Sequence, residues 1–130
     1  MRWILDNVAQ TKKMMREGDL LFGTVDTWII WNLTKGQKYL TDVSNASRTM
    51  LFNIQTLQWD RELLRIFRIS KDCLPRAKPS VFLGNNFGLV EIAGQEIPIL
   101  SICGDQTSAL YGQECKKQDK PRLLMAQAVL

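Results

Sequence analysis

The chain contains no histidine at any position. That absence removes serine–histidine–aspartate and cysteine–histidine nucleophile systems, and any histidine-ligated metal site, from this chain alone. Its chemistry is narrowed to carboxylates, hydroxyls, amides and basic groups. Cysteine is scarce: Cys73, Cys103 and Cys115 are odd in number and far apart. A disulfide framework and a Cys-x-x-Cys metal site are both excluded by that spacing, and a reducing, cytoplasmic setting is expected. Apolar runs fall far short of a membrane span, so a soluble chain is expected. Met1-Arg2-Trp3 opens directly into an amphipathic pattern without the three regions of a signal peptide. There is no Walker-type Gly-x-x-x-x-Gly-Lys, no internal repeat and no low-complexity segment.

What is present is a chain of one domain at most. Its 130 residues are 45% hydrophobic, enough to bury a core and to exclude a disordered polymer. The net charge is +4, with basic groups at Lys12, Lys13 and Arg16, at Arg61, Arg65 and Arg68, and at Lys116, Lys117, Lys120 and Arg122. No aromatic residues interleave these charges and no nucleic-acid motif surrounds them, so they read as solvated faces and no nucleic-acid partner is expected.

The pattern organises around Ile97-Pro98-Ile99-Leu100-Ser101-Ile102-Cys103-Gly104-Asp105-Gln106. Apolar residues on both faces predict a buried central strand of a helix-covered sheet, running from Ile97 to Ile102. Gly104 permits a sharp exit, and Asp105 then lies at the mouth of the sheet, where open α/β folds bind ligands. Taken alone, an aspartate after a glycine and before helical residues reads as an N-cap.

Periodicity predicts a helix over 2–17 ended by Gly18, a short strand at Leu20-Leu21-Phe22, and a helix from Thr27 to about Thr34 with Thr24 or Asp26 as its cap. The latter helix is apolar nearly all round and is expected to be buried. The small polar residues from Thr41 to Thr49 read as a loop or a capped turn, with a polar cleft as the alternative. Asp60 caps a helix to about Phe67, with Trp59 and Leu64 as a hydrophobic staple. Leu74-Pro75 to Lys78-Pro79 reads as loop, and Val81-Phe82-Leu83 is expected to pair with Leu89–Ile92.

Several stretches together resemble an internal piece of the glycerol kinases, within the sugar and polyol kinase family. They are Trp3-Ile4-Leu5-Asp6-Asn7, Leu21-Phe22-Gly23-Thr24-Val25-Asp26-Thr27-Trp28, Thr41-Asp42 through Leu51-Phe52-Asn53, Trp59-Asp60, Leu74-Pro75, and Gly104-Asp105-Gln106 through Gly112-Gln113. The resemblance implies an α/β fold, part of an actin-like (ribonuclease-H-like) kinase domain with a mixed sheet flanked by helices. It implies ATP-dependent phosphorylation of glycerol, with ATP and Mg2+ as cofactors and a homo-oligomeric intact enzyme. It also implies that Asp105 is the base taking the proton from the attacking hydroxyl, and that Gln106 hydrogen-bonds glycerol. No metal ligand is carried over. Residues 1–115 are expected to form the second half of the N-terminal polyol-binding domain, and 116–130 the start of a second domain or a divergent tail. The family's Asp-Gln-Gly-Thr phosphate turn is missing, and Pro121 to Leu130 does not match the family's Gly-Thr-Gly loop. A truncated, interrupted or deliberately cut kinase is therefore expected, inactive alone. A non-catalytic remnant or interaction module is the alternative.

Overall fold

The structure is a computed structural model that describes residues 1–81 and 87–114. The expected strand at Phe82-Leu83, Cys115, the 116–122 basic group and the 121–130 tail lie outside those residues.

The N-terminal segment forms two helices, α1 (Arg2–Asn7) and α2 (Thr11–Glu17), rather than the single helix that periodicity predicts. Val8 is extended and Gln10 is left-handed at φ 74°. The break is sustained by Thr11, whose hydroxyl donates toward the carbonyls of Val8 (2.9 Å) and Ile4 (3.3 Å). Gly18 ends α2 in the left-handed region at φ 82°, which glycine adopts without a Cβ penalty. The expected strand at Leu20–Phe22 forms no ladder. It is held instead by the Phe22 N–H on Cys73 O, and by the Tyr39 hydroxyl, 2.5 Å from Phe22 O and 2.7 Å from Cys73 O.

Helix α3 (Val25–Leu33) begins two residues before the expected Thr27, with Thr24 in the N-cap position but making no side-chain cap bond, and only Thr27 and Ile30 are buried. Val25 is 75% and Trp28 67% exposed, which corrects the expectation of a helix buried all round. No other described element covers that face. Strand β1 (Leu40–Asp42) leads into a single turn of helix, α4 (Val43–Ala46), and a 3-10 turn at Ser47–Thr49. A short hairpin of β2 (Phe52–Asn53) and β3 (Gln58–Trp59) follows, its turn closed by Asn53 Oδ1 accepting the N–H groups of Gln55 and Thr56. Helix α5 (Arg61–Phe67) is capped by Asp60, which accepts from Glu62 N and Leu63 N as the spacing predicts. Trp59 and Leu64 are both buried in the main core, with Leu5, Ala46, Leu51, Phe52, Ile69, Cys73 and Leu74.

The predicted loop between the two prolines contains β4 (Arg76–Lys78), parallel to β1 with Leu40 opposite Arg76 and Asp42 opposite Lys78. Strands β5 (Leu89–Ile92) and β6 (Gln95–Pro98) form an antiparallel hairpin across Ala93 and Gly94, both at positive φ as a two-residue turn requires. The expected partner of β5 was Val81–Leu83. Val81 instead bridges Ser101.

The buried central strand is also corrected. Every residue of β6 is exposed, and Leu100 beyond it is 54% exposed. Among the described residues β6 has one neighbour, β5, so its apolar faces have no layer to pack against. The architecture of the described residues is mixed α/β, with parallel and antiparallel pairings divided among three two-stranded sheets. Helix α6 (Asp105–Gly112) closes the described chain.

Candidate active site

Backbone contacts hold the approach to α6. Phe87 N–H donates to Ile99 O (2.8 Å), Ile99 N–H to Gly88 O (2.9 Å), and Ile102 N–H to Ser80 O (3.0 Å). Gly104 is the N-cap, extended at φ −61°, ψ 146°, and its carbonyl accepts the Ser108 N–H at 2.8 Å. Asp105 is therefore the first helical residue and not the cap, which corrects the simplest sequence reading. It is exposed, and its Oδ1 accepts the neighbouring Gln106 N–H at 2.7 Å. Gln106 is half-buried on the same turn. A carboxylate in the first turn of a helix is favoured by the N–H groups exposed there.

A second aspartate lies beneath this turn. Asp42 is fully buried and its carboxylate accepts five hydrogen bonds from the described residues. The donors are Ser44 N (2.9 Å), Ser44 Oγ (2.5 Å), Asn45 N (3.1 Å), Asn45 Nδ2 (2.7 Å) and Ser80 Oγ (2.5 Å). Burial pushes its carboxyl toward protonation. The donors from Ser44, Ser80 and Asn45 outweigh that effect and leave it below the ordinary carboxylate range. Asp42 is thus an ionised N-cap of α4, the structural reading of the 41–49 polar run. Beside it, the buried Thr41 hydroxyl donates to Asp26 Oδ2 at 2.7 Å, tying β1 to the start of α3.

Asp105 and Gln106, the two residues singled out in the sequence, are neighbours on the first turn of α6. Sequence reasoning missed the approach of Ser44 and Ser80 to that turn. The Asp42-x-Ser44-Asn45 spacing signals a cap, but nothing local signals Ser80. A cleft of about 530 Å³ lined by Asp19, Phe22, Thr27, Trp28, Trp31 and Tyr39 includes neither Asp105 nor Gln106. No group of three or more acidic or cysteine side chains among the described residues is placed to hold a metal ion.

Residues 1–112 match the N-terminal domain of the FGGY family of carbohydrate kinases. The chain belongs to that family. It is 55% identical over 112 residues to glycerol kinase 2 of Clostridium tetani, covering 86% of this chain and 22% of that relative. The glycerol kinase of Shewanella frigidimarina is 53% identical over 114 residues, covering 88% of this chain and 22% of the relative. Among solved structures, Plasmodium falciparum glycerol kinase with ADP superposes at a TM-score of 0.78 with 42% identity, covering 87% of this chain and 22% of that one. Ligand-bound xylulose kinase from Lactobacillus acidophilus superposes at 0.62 with 22% identity over 87% of this chain and 23% of its own, a likeness of fold alone. The actin-like kinase fold implied by the sequence is thereby shown. The chain spans about a fifth of the length of the relatives it matches.

Proposed function

We propose that this chain is the part of a glycerol kinase that carries the proton acceptor for phosphoryl transfer from ATP to glycerol. Asp105 is the base and Gln106 a substrate ligand. The observation that carries the reading is the position of Asp105: exposed at the first turn of α6, with Gly104 and not Asp105 serving as the cap. The similarity to glycerol kinases supplies the substrate class.

Phosphoryl transfer passes through a loose transition state, so catalysis consists largely of positioning and charge placement. In the proposed step a glycerol hydroxyl lies against the Asp105 carboxylate, which orients it and takes its proton late in the attack on the γ-phosphate. The Gln106 amide both donates and accepts, which suits a polyol. Magnesium accompanies ATP in the intact kinase. The described residues do not form a set of ligands for it, so no step here is routed through the ion. Residues 1–115 constitute the second half of the polyol-binding domain, 116–130 begin a second domain or a divergent tail, and the assembled enzyme is a cytoplasmic homo-oligomer. No helix among the described residues is long and apolar enough to cross a membrane.

The test uses a chimera in which residues 1–112 replace the aligned stretch of the Clostridium tetani relative. In Asp105→Asn, formation of glycerol 3-phosphate at saturating glycerol should fall roughly 10²–10⁴-fold, with a much smaller change in the KM for glycerol. An Asn variant that turns over at the parental rate would remove the assignment.

A further inference from the structure

The turn that presents Asp105 is fastened from below at two points, and both fastenings end on one buried carboxylate. Gly104 is buried, so its N–H requires a partner within the protein. That partner is Ser44 Oγ at 2.7 Å. Since Ser44 Oγ accepts there, its own proton is free for Asp42 Oδ2, 2.5 Å away. An ionised carboxylate only accepts, so the direction of donation is fixed from Gly104 through Ser44 to Asp42. Ser80 makes the second fastening. Its hydroxyl donates to the same Asp42 Oδ2 at 2.5 Å, and its carbonyl accepts the Ile102 N–H at 3.0 Å.

The fit is close as well as polar. A Cβ added at Gly104 would lie 3.4 Å from Ser44 Oγ and 3.5 Å from Asn45 Oδ1, so the cap of α6 rests directly on the first turn of α4. The contact joins residues 60 positions apart in the chain. It leaves no freedom for the turn to slide along its axis without breaking the Gly104–Ser44 bond.

We infer that Ser44, held by Asp42, is a positioning residue for the reaction: it fixes Gly104 and so sets where the Asp105 carboxylate meets the substrate hydroxyl. This rests on the reading of Asp105 as the base. A displacement of about 1 Å at a reacting group is worth on the order of 100-fold in rate, so a hydroxyl that touches no substrate governs turnover through geometry.

The chimeric kinase tests this with Ser44→Ala, Ser44→Thr and a double-mutant cycle with Asp105→Asn. Ser44→Ala should lower kcat roughly 10- to 100-fold and leave the KM for glycerol within about threefold. Ser44→Thr, which keeps the hydroxyl, should restore kcat to within about threefold of the parent. In the Asp105→Asn background Ser44→Ala should add little, because both act on one step. Should Ser44→Ala not fold, Ser44→Cys takes its place, with similar volume and a weaker acceptor. Parental kcat in Ser44→Ala, failure of Thr to rescue, or the same loss in both backgrounds would each overturn the inference. Parental turnover in Asp105→Asn alone would overturn the base reading, and the positioning role with it. That outcome differs from a crippled Asp105→Asn beside an unaffected Ser44→Ala, which would overturn positioning alone.

Discussion

Replacing Asp42 by alanine should open the structure locally, and the size of the effect follows from its partners. The side chain is 0% exposed and accepts from two backbone N–H groups, one side-chain amide and two hydroxyls. Alanine leaves all five donors without that acceptor. Loss of the cap on α4 is worth about 1 kcal/mol. Each hydroxyl or amide that loses its charged acceptor adds about 1 kcal/mol, at the low end because those groups are only partly buried and regain some bonding to water. The total is about 3–4 kcal/mol, or more than 100-fold in the local opening equilibrium at about 1.4 kcal/mol per decade. Hydrogen–deuterium exchange of the chimeric kinase reads this directly. Peptides covering 40–49 and 100–108 should exchange roughly 100-fold faster, and those covering α5 much less. Asp42→Asn should be intermediate, since asparagine caps as well as aspartate but cannot accept from both serines as a carboxylate does. Exchange within about threefold of the parent at 100–108 in Asp42→Ala would show that the carboxylate does not hold the two segments together.

Two further outcomes follow. Because Asp42 has a lower pKa folded than unfolded, its contribution is fully present above the ordinary carboxylate range and is lost as pH falls through the lowered folded value. Asp42→Asn should therefore flatten the acid limb of a thermal-stability profile, and an unchanged limb would contradict the assignment. The isolated 130-residue chain should bind a hydrophobic dye and self-associate, because Trp3 (70% exposed), Trp28 (67%) and Leu100 (54%) lie open. A clean monomer that binds no dye and melts cooperatively would refute this.

What could be read from the sequence was what is local. The Asp60 cap and the turn of small polar residues at 41–49 depend on side chains bonding within three or four positions, and the Gly18 terminus on a backbone N–H bonded to Met14 O; each is present. The break between α1 and α2 was invisible because Gln10 carries no turn signal, and the Thr11 hydroxyl that sustains it looks like any surface threonine. Strand β4 reads as loop because Pro75 and Pro79 flank it. Its pairing with β1 is parallel and distant, and no period within the strand encodes it. The apolar run at 97–102 has the composition of a central strand, but among the described residues only Ile97 and Pro98 join a strand pair, with β5, and Ser101 makes an isolated bridge to Val81, so composition overstates its burial. The strand-to-helix pattern places Asp105 at the mouth of a sheet but reads it as a cap; its role as a base comes from the resemblance to the kinases alone. The Ser44–Gly104 contact had no sequence signal, since a 60-residue separation leaves no periodicity to follow.

On the proposed reading of Asp105 as the base, the two aspartates divide the requirements of a proton acceptor between them. A base must be ionised, reach its substrate and hold its place. Asp42 is ionised and fixed, but five donors surround its oxygens and it has no exposure, so no hydroxyl of a ligand can approach it. Asp105 is reachable, and its carboxylate bonds to the N–H of its own neighbour. Exposure alone does not distinguish it, because acidic residues on helix surfaces and hairpins are exposed too. The turn beneath it does: Ile102, Gly104 and Ser108 donate in succession to Ser80 O, Ser44 Oγ and Gly104 O. The fixity that Asp105 lacks in its own side-chain bonds reaches it through the backbone from the buried charge of Asp42. On the proposed reading, an exposed carboxylate on a clamped turn combines reach with fixity, whereas burial of Asp105 itself would supply fixity only by removing access.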